Sequence, residues 1–223
     1  MFSILQKSFA AAAIAAVVVS GCGGSSAAAT LPAPLVDQAK STDQHRSTAV
    51  FAGGCFWGVD AVFKHVKGVS SVTSGYAGGN SATAHYEIVG SGMTGHAESV
   101  KVVYDPGQVS YGQLLRVFFS VAHDPTELNR QGPDVGTQYR SAIFYADPEQ
   151  QKIAQAYIDQ LQKANVYSRP IVTQVTPLSA FYPAEDYHQN YLARHPESMY
   201  IVINDLPKLA HLKHEFPQLY VSR

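Results

Sequence analysis

A two-layer α/β sandwich is the fold class this sequence predicts, and three observations predict it. Short apolar runs with strand alternation recur along the chain, and segments of helical spacing stand between them. The two kinds alternate without the regular repeat of a doubly wound sheet, and no internal repeat is visible. Of 223 residues, 46% are hydrophobic and 15% charged, a globular composition long enough for one buried domain with extensions.

Ala49-Val50-Phe51-Ala52, ended by Gly53-Gly54, predicts a buried strand and a tight turn. From Cys55 the period changes: Val59, Val62, Phe63 and Val66 follow helical spacing, and Gly68 supplies the stop. Residues 69–76 predict a strand, and the glycine-rich stretch from Gly75 to Gly95 mostly loop. Glu98, Val100, Val102 and Tyr104 then alternate as a strand does. Tyr111 to Val121 predicts a helix with Leu114, Leu115 and Phe118 inward, followed by a polar loop from His123 to Gly136. Ser141 to Tyr145 is a further strand. Asp147 and Pro148 are a cap and first residue for a helix carrying Ile153, Tyr157 and Leu161. Ile171 to Val175 predicts another strand and Ala184 to Arg194 a final helix, with a loosely structured tail over 206–223.

The N-terminus has a different character. Lys7 is the sole charged side chain in the first 36 residues, and it precedes an apolar run from Phe9 to Val19. That run is short for a membrane span and is followed by the small residues Ser20 and Gly21. Val19-Ser20-Gly21-Cys22 resembles the bacterial lipobox, so the expectation is a signal peptide over 1–21 and acylation of Cys22. Residues 22–47, rich in Gly, Ser, Ala and Pro, are expected to form a flexible, lipid-anchored tether. The chain would then be exported and membrane-anchored, facing the periplasm or the cell exterior, and monomeric.

The formal net charge of −1 and the lack of basic runs interleaved with aromatics argue against a nucleic-acid partner. Only Cys22 and Cys55 are cysteines, so with Cys22 acylated no disulfide framework exists. The nine histidines show no metal-ligand spacing beyond His211 and His214, which fit a solvated helix face, and no metal site is expected.

Cys55 follows Gly53-Gly54 at a helix start, where unpaired backbone N–H groups favour the thiolate and are expected to lower its pKa. Phe56 and the sole tryptophan, Trp57, could wall a pocket for a small apolar group. A buried structural cysteine among core aromatics fits the spacing equally well. Glu98 shares a strand face with Val100 and Val102; turned inward it should hold a raised pKa and donate a proton. A solvated strand-end glutamate fits as well.

Gly53-Gly54-Cys55-Phe56-Trp57-Gly58 resembles the signature of the peptide methionine sulfoxide reductase A family. Three further blocks resemble that family in order: Ser91 to Glu98, Asn129 to Ser141, and Glu185-Asp186-Tyr187-His188-Gln189. The resemblance covers residues 48–205, the expected catalytic domain, and implies a ferredoxin-like plait for the sandwich. It implies thiol-dependent reduction of peptide-bound, and possibly free, methionine S-sulfoxide to methionine. Cys55 matches the nucleophile, and Phe56 with Trp57 the pocket for the substrate methyl group. Glu98 matches the acid at the sulfoxide oxygen, Tyr86 and Tyr139 two further donors to it, and Asp134 a supporting aspartate. His188 and Tyr191 fall in or beside the fourth block and are placed with the substrate-binding residues.

The chain departs from the family pattern in one respect. Many members reset the enzyme with a second cysteine, and residues 201–223 contain none, while Gly90 stands where some relatives carry one. The expectation is a one-cysteine cycle with no bound cofactor, in which an external thiol reduces the Cys55 sulfenic acid. The reductant would be thioredoxin-like, glutaredoxin or glutathione, or dithiothreitol in vitro. Two alternatives remain at this point: a cysteine hydrolase pairing Cys55 with His188, and a non-catalytic surface lipoprotein with a sensing thiol.

Overall fold

A computed structural model describes residues 31–39 and 46–223. The apolar run, the lipobox and Cys22 lie outside the described residues.

Among the described residues, eight strands and six α-helices follow in a mixed order. β1 (Ser47–Gly53), β2 (Val69–Ala77), β3 (Ala97–Tyr104), β6 (Ser141–Tyr145), β7 (Gln174–Pro177) and β8 (Phe181–Pro183) form one six-stranded sheet. Its order is β7-β6-β1-β3-β2-β8, with every pairing antiparallel except β6 with β7. A separate two-stranded ribbon joins β4 (Arg130–Gln131) and β5 (Asp134–Val135).

Strand alternation sorts the two faces of the sheet. Phe51, Val100, Val102 and Ile143 project into the main core. There they meet Val59, Val62 and Phe63 of α1 (Phe56–Lys64) and Leu114 and Leu115 of α3 (Tyr111–Val117). Ile153, Tyr157 and Leu161 of α4 (Pro148–Lys163) complete that layer. Val50, Ala52, Ala77, Ala97, Ala142 and Phe144 face the other way, under Leu178 and Phe181. This second layer is thin because its residues are small. α3 and α4 start where the sequence says they should: Ser110 and Gln113 form a capping box on α3, and Asp147 accepts from Gln150 N at 2.8 Å on α4.

Three expectations need correction. Ala184 to Arg194 is not one helix; a 3-10 turn (Asp186–His188) and α5 (Tyr191–Arg194) are separated by Asn190 at φ 56°, a left-handed residue no helix continues through. The strand expected at Ile171–Val175 is displaced to Gln174–Pro177, and β8 forms where only connection was expected. The glycine-rich stretch, expected to be mostly loop, also holds a 3-10 turn (Ser81–Thr83) and α2 (Tyr86–Val89). The tail is ordered: a π-turn (Ile201–Asp205) runs into α6 (Leu206–Glu215), and Leu212, Phe216 and Leu219 are buried. Backbone bonds from Lys67 N to Leu219 O and from Val221 N to His65 O then tie the C-terminal residues to the end of α1.

Part of the expected tether is also fixed in place. Leu31 is buried, the Tyr157 hydroxyl donates to Pro32 O at 2.8 Å, and Gln160 bonds both Ala33 and Leu35. Asp37 accepts from Gly112 N at 2.8 Å and from the Ser110 hydroxyl, capping α3 from outside. Leu31, Asp37 and the backbone bonds at Pro32, Ala33 and Leu35 anchor a segment whose composition alone reads as linker.

Candidate active site

The turn before α1 delivers Cys55. Gly54 has φ +87°, and a Cβ there would stand 2.5 Å from the Gln131 side chain, so only glycine makes this turn. Cys55 precedes the first helical residue and is 8% exposed. Glu98 comes from β3 on the helix-facing side of the sheet and is 3% exposed. The Phe56 backbone N–H donates to Glu98 Oε2 at 3.1 Å. The free N–H at the head of α1 therefore holds the acid beside the nucleophile.

Burial, with a contribution from the Asp134 charge, pushes the Glu98 carboxyl up to about 8 against the opposing Phe56 N–H. It is an acid at neutral pH, as its strand face predicts. The Cys55 thiol does not follow the expectation of a lowered pKa. Burial pushes it up, and the nearby Glu98 and Asp205 carboxyls add to that, against the Trp57 N–H and the Tyr200 hydroxyl. The helix start is present, yet desolvation and two acids outweigh it.

Aromatic side chains cluster around Phe56 and Trp57. Phe56 is buried against Tyr76 at 6.0 Å and His188 at 4.9 Å between ring centroids. Trp57 is held on three sides: it stacks on Tyr191 at 3.6 Å and 6°, meets Tyr200 edge-on at 5.8 Å, and donates to His188 Nδ1 at 3.2 Å. Trp57 thus takes His188 Nδ1, and among the described residues no hydrogen bond joins His188 to Cys55, so the hydrolase pairing is not favoured. Tyr86 lies 4.3 Å from His188, and Glu185 accepts from both Tyr86 N at 3.0 Å and the Tyr76 hydroxyl at 2.8 Å.

Tyr86 and Tyr139 both feel the Glu98 and Cys55 charges; burial and those charges push Tyr86 up to about 12 and Tyr139 also upward. They stay protonated as donors. Arg140, next to Tyr139, staples the third block to the second through Gly95 O at 2.8 Å and His96 O at 3.0 Å. Asp134 reaches the site indirectly, by accepting from the Tyr200 hydroxyl.

Sequence reasoning missed Tyr200 and Asp205. Tyr200 precedes the π-turn and Asp205 ends it, in a stretch without a motif. Asp205 is fully buried, bonded to Lys208 at 3.1 Å and packed on Gly58 of α1. The available signal was Leu206-Pro207 opening a helix after an acidic residue.

The family model described as peptide methionine sulfoxide reductase matches residues 47–219. The chain belongs to the peptide methionine sulfoxide reductase family. This reductase-family chain is 63% identical over 176 residues to peptide methionine sulfoxide reductase MsrA 2 of Mesorhizobium japonicum, covering 79% of this chain and 90% of that one. It is 53% identical to the Synechocystis protein of the same name, covering 83% and 88%. Among solved structures it resembles reduced Mxr1 of Saccharomyces cerevisiae, with TM-score 0.63, 32% identity and coverage of 69% and 87%. Methionine sulfoxide reductase A of Corynebacterium diphtheriae gives TM-score 0.60 and 38% identity over 70% and 77% of the two chains.

Proposed function

We propose that this chain reduces methionine S-sulfoxide, peptide-bound and free, to methionine through a sulfenic acid on Cys55. One observation carries the assignment of roles: Glu98, protonated at neutral pH, is tied to the backbone that follows Cys55. Sulfoxide sulfur accepts a nucleophile only as its oxygen becomes a leaving group, so the acid must act as the thiolate attacks. Glu98 gives that proton, and the Tyr86 and Tyr139 hydroxyls hold the oxygen. The Phe56–Trp57 wall takes the substrate methyl group. Burying one such group contributes only about 0.8 kcal/mol, so the wall orients the substrate more than it binds it. Oxygen passes to Cys55 as methionine leaves.

An external thiol then attacks the sulfenic acid, water leaves, and a second thiol frees Cys55. A thioredoxin-like dithiol, glutaredoxin or glutathione, and dithiothreitol in vitro all suit this step. The partners are oxidised proteins and peptides and a thiol reductant, and the catalytic unit is a monomer. The order β6-β1-β3-β2 with α1 and α3 on one face supports a ferredoxin-like plait as the core. The lipobox-like Val19-Ser20-Gly21-Cys22 supports a signal peptide and a lipid anchor on an exported enzyme.

Dithiothreitol-driven reduction of a methionine sulfoxide peptide tests the assignment. Wild type is expected to turn over and Cys55→Ser to be inert; a wild-type enzyme without turnover overturns it.

A further inference from the structure

Trp57 touches two rings from one short stretch of chain, accepting no support from a long helix there. It donates to His188 Nδ1 at 3.2 Å and stacks on Tyr191 at 3.6 Å and 6°. His188 ends a 3-10 turn of three residues, and Tyr191 opens α5, a helix of four. Helical pieces this short do not hold themselves in place. The position of both rings, and of Trp57 with them, therefore depends on what anchors residues 186–194.

The two residues between those rings are both bonded to the scaffold. Gln189 binds β2 where β8 stops: its Oε1 accepts from Ser74 N at 3.0 Å, and its Nε2 donates to Ser74 O and Ala184 O, each at 3.0 Å. Asn190 binds α1, its Oδ1 accepting from Lys64 Nζ at 2.7 Å. Lys64 is itself held by Asp60 Oδ2 at 2.7 Å. The Asp60 side chain is 3% exposed, and its Oδ1 has no hydrogen-bond partner among the described residues, so Lys64 is the cation this buried carboxylate keeps in place. Trp57, Asp60 and Lys64 follow one another at i, i+3 and i+7 and share a face of α1. Asn190 sits at φ 56°, a conformation that asparagine tolerates and that turns the chain into α5.

Resting on the reductase reading above, we propose that Gln189 and the Asp60–Lys64–Asn190 chain are positioning residues that clamp residues 186–194 from two sides and so set the angle of Trp57 against the substrate methyl group. The β2 side, through Gln189, fixes His188 and with it the bond to the indole N–H. The α1 side, through Asn190, fixes the start of α5 and with it the face of Tyr191 on which the indole lies. These residues act on substrate through Trp57. Loosening either side alters the fit of bound sulfoxide and leaves the acid and the thiol where they are, so the loss falls on KM more than on kcat.

Two readouts on the full chain test the clamp: emission of Trp57, the sole tryptophan, and steady-state KM and kcat with a methionine sulfoxide peptide. Asn190→Gly keeps the left-handed turn and the Asp60–Lys64 pair but removes the acceptor; it is expected to shift the emission and raise KM several-fold with kcat changed far less. The double variant Asp60→Asn, Lys64→Met, which leaves no lone buried carboxylate, is expected to do the same. Asn190→Asp, which keeps both the acceptor and the turn, is expected to restore wild-type emission and KM. Gln189→Leu is expected to shift the emission further; should it fail to fold, the Asn190 series decides. Wild-type emission or KM in Asn190→Gly or in the double variant, or a failure of Asn190→Asp to restore them, overturns the clamp while the reductase reading stands. A wild-type enzyme without turnover overturns the reductase reading, and the emission series then still reports whether the clamp holds Trp57.

Discussion

The Trp57 indole N–H donates to His188 Nδ1 at 3.2 Å, and this bond decides which nitrogen of His188 carries the proton. With Nδ1 accepting, the neutral ring is protonated at Nε2. Burial lowers the His188 pKa, so the ring stays neutral through the ordinary imidazole range, and the bond is lost only as pH falls below it. Because Trp57 is the sole tryptophan, its fluorescence reports the bond directly. His188→Asn, which can still accept, should keep the wild-type emission and raise KM little. His188→Phe should shift the emission and raise KM several-fold with a smaller effect on kcat. Equal behaviour of the two variants would dissociate His188 from the Trp57 orientation.

Glu98 sets the alkaline limit of the reaction. Its carboxyl is an acid below about 8 and is spent above it, so the single-turnover rate should fall as pH rises through that value. Glu98→Gln should lack that limb and be slower on the order of 100-fold on its plateau, yet remain measurably active through Tyr86 and Tyr139. The same shift predicts stability. The unfolded chain ionises this group near 4.5 and the folded one near 8, so wild type loses stability as pH rises across that window. Denaturation midpoints above the window should favour Glu98→Gln, and the gap should close below it.

Gly58 is a packing requirement of the π-turn. A Cβ there would stand 2.0 Å from Asp205 Oδ1 and 2.6 Å from Lys208 Nζ. Gly58→Ala should cost about 1–3 kcal/mol in urea unfolding, as overpacking does, and separate the buried pair. Unchanged stability would show that the π-turn can move away from α1.

Asp37 holds the N-terminal segment to the domain. Asp37→Ala removes the acceptor for Gly112 N, at 2.8 Å, and for the Ser110 hydroxyl. The expected outcome is a loss of about 1 kcal/mol and faster limited proteolysis within residues 31–39. Cleavage at the wild-type rate would mean that Leu31 and the bonds at Pro32, Ala33 and Leu35 carry the docking without Asp37.

Much of this was legible in the sequence because it rests on local pattern. The alternation through Val100 and Val102 placed Glu98 on the inner face, and Gly53-Gly54 before a helical period placed Cys55 at its head. What escaped depends on distant contacts. The Cys55 pKa moves up because Glu98 and Asp205, far apart in sequence, converge on it in a buried place, and helix position carries no trace of that. Tyr200 and Asp205 hide in a π-turn, whose period matches no pattern sought in an apolar segment. Residues 31–39 read as linker because the holes that Leu31 and Asp37 fill belong to α3 and α4.

The central claim is that Cys55 alone takes the oxygen. Mass spectrometry of the enzyme after reaction with excess methionine sulfoxide peptide, without reductant, tests it most directly. One methionine per enzyme with a single added oxygen on Cys55 is the predicted result; unmodified Cys55, or a Cys22–Cys55 disulfide, would contradict it.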